Sequence, residues 1–161
     1  MPISNPREKF VHELADMYDA EHQFLEAQQK MLENATDEKL RALIETHMEE
    51  TRQQISNLEQ VFEAAGEQPE RQTCSGAKGL IEEATKMMEE AGTEELRDAF
   101  IVGAAAKTEH YEMVGYADLI DGAEMLKLRP AVRLLTQNRE QEVRTARKLE
   151  RQAPRIAKAA A

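Results

Sequence analysis

Tryptophan is absent, cysteine occurs once, and 161 residues contain only seven glycines and five prolines. The lone Cys74 can close no internal disulfide, and a single thiol is a weak metal signal. Few turn-forming residues, and no run in which β-branched and polar residues alternate, exclude a sheet protein. No apolar run approaches the roughly 20 residues of a membrane span, and the N-terminus shows no apolar export segment, so a soluble, cytoplasmic chain without membrane contact is expected. Glycine-rich phosphate loops, nucleophile elbows and Cys/His zinc spacings are missing as well.

What remains is dominated by Ala, Leu, Glu, Lys, Gln, Arg and Met, the composition of an all-α protein. The length suits one domain over residues 1–161 with a substantial core. The net charge of −10 is unevenly spread. Residues 127–161 hold ten Lys and Arg against three Glu, which leaves 11 basic and 28 acidic residues for 1–126. A basic last helix docked among acidic ones follows. A nucleic-acid arm does not, because the rest of the chain is acidic and no aromatics interleave the basic residues.

Hydrophobic periodicity places four long helices. The first starts at Asn5-Pro6, a cap followed by proline in the first turn, and runs to about Glu33. Thr36 caps the second, with Asp37 and Glu38 in its first turn, and Gly66 stops it. Residues 67–76 read as a polar loop and 77–91 as a shorter amphipathic helix. The next long helix follows the Thr93 cap and ends between Asp121 and Met125. The last begins at Pro130 and runs to about Gln152, with Pro154 breaking or kinking it and the tail 153–161 frayed. Short links make the first pair and the last pair antiparallel, while the long crossover lets the second and third long helices run parallel.

Each long helix carries a glutamate in an otherwise apolar seam. In 99–120, Ala99, Val102, Ala106, Met113, Tyr116 and Ile120 step by three or four residues, and Glu109 occupies the missing step. Glu21 sits among Phe10, Leu14, Met17, Phe24 and Met31. Glu50 follows Leu40, Leu43, Ile44 and His47. Glu142 lies between Leu135 and Leu149. Helix lengths bring all four to nearly the same height. Burying unpaired carboxylates costs several kcal/mol, so such a layer needs a counter-charge. Two divalent cations, Fe or Mn, would supply it, as in di-metal carboxylate bundles. The usual Glu-x-x-His repeat is absent. His47, one turn before Glu50, reads equally as a ligand or as a hydrogen-bonded seam histidine. Glu112 is in reach of the metal bound by Glu109, but helical phase puts Glu112 and His110 on the solvated flank. Tyr18 and Tyr116 lie within two turns of the site and read first as core.

The segments MYDAEHQFL (17–25), HMEETRQQI (47–55), GLIEEA (79–84), KTEHYEMVGY (107–116) and LLTQNREQEVRTARKL (134–149) resemble, in that order, the YciF-type bacterial stress proteins of the ferritin-like superfamily. The resemblance implies a ferritin-like bundle with an extra helix in the crossover, a homodimer, a link to stress responses, and metal positions at Glu21, Glu50, Glu109, Glu112 and Glu142. Ala146 stands where the family tends to carry an aspartate. Two functions follow as expectations. One is a di-metal protein, with Glu50 and Glu142 bridging and Glu21 and Glu109 terminal, that reacts with dioxygen or peroxide or sequesters iron. The other is a metal-free interaction or structural module, in which the glutamates pair with His47, His110 and basic groups such as Arg139. A cage-forming storage protein is the weaker third.

Overall fold

The structure, a computed structural model, describes residues 2–161 and holds five helices and no strand among them. These are α1 (Pro6–Asn34), α2 (Glu38–Ala64), α3 (Ser75–Glu90), α4 (Glu94–Met125) and α5 (Arg129–Ala159). Most starts obey local chemistry. The Asn5 side chain accepts from Glu8 N with Pro6 in the first turn, and Thr93 accepts from Leu96 N. Gly66, with φ of 74°, ends α2 in the left-handed conformation that glycine adopts without a Cβ penalty.

Three boundaries differ from the sequence reading. Asp37, not Thr36, caps α2: its carboxylate accepts from Leu40 N, while Thr36 is drawn to Asp98 on α4 through its backbone N (2.8 Å) and hydroxyl (2.8 Å). The loop ends two residues early, because Cys74 turns the chain and its sulfur accepts from Ala77 N at 3.4 Å as the α3 cap. The tail is not frayed, for α5 continues through Pro154 to Ala159. An internal proline costs a helix about 3 kcal/mol. Offsetting it, Ile156 is buried at 2% exposure and Arg155 grips Asp37 of α2 with two bonds of 2.6 and 2.7 Å.

Inter-helix contacts give the directions. Arg155 meets Asp37, Thr145 meets Glu50, and Asn138 meets Asn57, so α5 runs antiparallel to α2. A Cβ on Gly122 would come within 2.9 Å of Phe10, and Tyr116 bonds Glu21, so α4 runs antiparallel to α1. With α1 and α2 joined by a tight turn, α2 and α4 are parallel, as the long crossover requires. The crossover carries α3, which packs on α4 and α1 and covers a side of α4 that a plain four-helix bundle would expose.

Apolar side chains gather into two clusters. One holds Phe10, Leu14, Phe24, Leu58, Phe62 and Leu135; the other holds Met31, Leu40, Ile44, Ile101, Val102 and Ile156. Each fully buried Leu, Ile or Phe contributes about 1.5–3 kcal/mol, so the ends of the bundle hold it together. Between them lies a polar layer.

Candidate metal centre

The layer takes one or two side chains from each long helix. Glu21 comes from α1, His47 and Glu50 from α2, Glu109 and Glu112 from α4, and Glu142 from α5. Glu21, Glu109, Glu112 and Glu142 are at most 1% exposed and His47 is 5% exposed. One ligand atom each from His47, Glu109, Glu112 and Glu142 fit within 4.8 Å of one another, the separation a shared cation would bridge.

The imidazole sits at the centre of this charge. His47 Nε2 lies 2.7 Å from Glu109 Oε1, although off hydrogen-bond alignment, and 3.8 Å from Glu142 Oε2. Its Nδ1 is 3.5 Å from Glu50 Oε2, which also accepts from the Thr145 hydroxyl at 3.2 Å. Burial alone would lower the His47 pKa, but Glu109, Glu50 and Glu21 override it and raise it to about 10. One imidazolium cannot neutralise the layer. Burial pushes Glu21 up to about 7, and burial with mutual repulsion drives Glu112 and Glu142 well above the carboxylate range. Glu50 moves the other way, held down first by its bond to His47.

Glu21 Oε2, Glu109 Oε2 and both oxygens of Glu112 and of Glu142 are buried without a hydrogen-bond partner. Buried acceptors of this kind each cost about 1–3 kcal/mol, and more when charged. Glu21 is anchored on its other oxygen by the Tyr116 hydroxyl, which in turn accepts from Asn138 Nδ2 at 3.2 Å. On one side of His47 and Glu109 lies an apolar cavity of about 20 Å³, walled by residues including Phe24, Met31, Ile44, Ala84 and Leu149.

Sequence phase placed these residues with two exceptions. Glu112 is not on a solvated flank but 1% exposed, because α1 and α3 cover that side of α4. Glu50 is not in a dry seam; its side chain is 22% exposed at the edge between α2 and α5. His110 is on the flank, at 56% exposure. Arg139, named as a partner for the glutamates in the metal-free alternative, has its buried Nε without a partner. Tyr116, read as core, bonds a site carboxylate directly. The signal was its position one turn past Glu112, on the stripe that also carries Glu109.

The family description "Domain of unknown function (DUF892)" matches residues 5–161. Protein YciF of Escherichia coli K12 is 38% identical over 150 residues, covering 92% of this chain and 90% of that protein. The crystal structure of the E. coli stress protein YciF aligns with a TM-score of 0.92 at 36% identity, covering 96% of this chain and 98% of that one. YcfI of Rhodopseudomonas palustris aligns with a TM-score of 0.90 at 38% identity, covering 92% and 94% of the two chains. A Xanthomonas campestris protein shares the fold alone, with a TM-score of 0.78 at 22% identity. The chain therefore belongs to the DUF892 family of YciF-type, ferritin-like helical bundles.

Proposed function

We propose that this YciF homologue is a bacterial stress protein whose buried carboxylate layer holds two Fe or Mn ions. The observation that carries the reading is the set of unpartnered buried oxygens on Glu21, Glu109, Glu112 and Glu142 around one imidazole. Hard carboxylate oxygens with one nitrogen donor suit Fe(II) or Mn(II). His47, Glu109, Glu112 and Glu142 would hold one ion directly, and Glu21, beside Glu112, and Glu50, on the far side of the His47 ring, are the carboxylates left to a second. When bound, such ions supply redox chemistry toward dioxygen or peroxide, or a store of iron.

The chain's own groups do the rest. Tyr116 orients Glu21, with Asn138 fixing the hydroxyl so that its proton points to the carboxylate. Thr145 orients Glu50. The apolar ends of the bundle exclude water and strengthen every charge interaction between them. An ion held at His47 Nε2 would take the place of a proton there, so binding would weaken as pH falls.

The test is metal content per chain by elemental analysis, on untagged protein and again after anaerobic Fe(II) addition and removal of excess. About two ions per chain, lost on Glu142→Ala and Glu112→Ala while the fold persists, is the expected outcome. A metal-free structural module is the second reading. It is favoured by the His47 ion pairs and by the structural role conjectured for the R. palustris relative. It requires that both preparations contain no metal and that chelators leave thermal stability unchanged.

A further inference from the structure

The site can be approached from two sides, and their chemistry is opposite. The apolar cavity inside the bundle holds about 20 Å³, room for one water, and the two site residues on its wall, His47 and Glu109, are only 5% and 1% exposed, so it presents no carboxylate to solvent. On the other side, between α2 and α5, an open groove of about 250 Å³ runs past Lys39, Ala42 and Lys148 to a floor made by His47, Glu50 and Thr145. Glu50 is the only partly exposed carboxylate among the six site residues, and it lies at the bottom of this groove. The His47 ring forms the partition: its Nδ1 faces Glu50 at 3.5 Å, and its Nε2 faces Glu109 at 2.7 Å on the buried side.

Resting on the metal-site reading above, we infer that the α2–α5 groove is the port through which a hydrated divalent cation enters, with Glu50 as first contact and the His47 ring as the door to Glu109, Glu112 and Glu142. The order follows from solvation. A cation gives up water only as ligands replace it, so it needs an ionised oxygen reachable from solvent. Glu50 supplies that oxygen. Rotation of His47 about its χ angles would give up its contacts with Glu50 and Thr145 on the groove face and with Glu109 and Glu142 on the buried face, and would open the passage by a side-chain movement. Lys39 and Lys148 flank the mouth as positive charges and slow the approach of a cation.

The experiment follows Mn(II) uptake by the chelator-treated full chain, from the decay of the aqueous Mn(II) EPR signal after rapid mixing, with elemental analysis at the end point. Ala42→Trp fills the groove from an exposed helix position that contacts no ligand. It should slow uptake about tenfold and reach the same end point, since a bulky side chain obstructs a route without altering the site. Lys39→Gln with Lys148→Gln should speed uptake about twofold at low ionic strength, an effect that salt screens away. Ala105→Leu, which narrows the apolar cavity instead, should leave the rate unchanged. Uptake at the unmodified rate in both groove variants, or slowing by Ala105→Leu, would overturn the port while leaving the metal site standing. Absence of Mn(II) from the unmodified chain at equilibrium would overturn the metal reading, and the port with it.

Discussion

Two buried polar regions share the middle of the bundle, and Tyr116 touches both. On one side is an amide network. Asn57 Nδ2 donates to Asn138 Oδ1 at 2.7 Å, and Asn138 Nδ2 donates to Gln54 O and to the Tyr116 hydroxyl, both at 3.2 Å. Apart from Gln54 Oε1, its groups find partners within the chain. On the other side, Glu112 and Glu142 find none. Both regions are equally dry, so the contrast is not one of exposure. Amides carry donors and acceptors together and can satisfy one another, whereas ionised carboxylates only accept. A layer of them calls for something the chain lacks. The amide network is nearly complete as folded, whereas the carboxylate layer leaves its oxygens open and contains the His47, Glu109, Glu112 and Glu142 group that could hold a metal ion.

The comparison can be broken from the satisfied side first. Asn138→Ala should cost about 3 kcal/mol with or without metal, because it strands Asn57 Nδ2 and leaves a cavity. Denaturant melts with and without chelator should show the same loss, and a loss confined to the metal-loaded form would mean that Asn138 belongs to the metal site. Tyr116→Phe removes the joint and should cost about 2 kcal/mol, the value of a bond to a charged acceptor together with a stranded Asn138 donor.

From the other side the sign should reverse. Glu142→Gln removes a carboxyl group whose ionisation burial, Glu112 and Glu109 oppose, so that folding costs stability above its ordinary pKa; it should stabilise the metal-free chain by about 1 kcal/mol at pH 8 and lower the metal content of protein exposed to Fe(II). A destabilised metal-free variant would show that the carboxylate layer is already neutral and complete.

The smallest effect belongs to a charge that has found its partner. Arg155 holds Asp37 well below its ordinary value, at about 2. The native state thus binds the proton less tightly than the unfolded chain does. The stabilisation is present above about pH 4 and fades as pH falls toward 2. Because the pair is partly solvated it is worth about 1 kcal/mol or less. Asp37→Asn should flatten the acid limb of the stability curve by that amount, measured by urea titration at pH 5 and pH 3.

The chain's local pattern makes legible the helices, their caps at Asn5 and Thr93, the glycine stop at 66 and the common height of Glu21, Glu50, Glu109 and Glu142. These depend on the 3.6-residue period and on short links, both local properties. It could not determine which flanks are covered. A stripe defines one buried face, yet α4 is packed by α1, α3 and α5 together, so Glu112 is buried from a direction that its own phase does not reveal. For the opposite reason Glu50 is left partly open: α2 has substantial contacts with α1 and α5 alone. Pro154 likewise broke a rule of local propensity, because burial of Ile156 and the Arg155–Asp37 pair offset what the proline costs. Period and propensity act within a helix, whereas burial, pairing and access are set by neighbours distant in the chain, which come together only in the folded bundle.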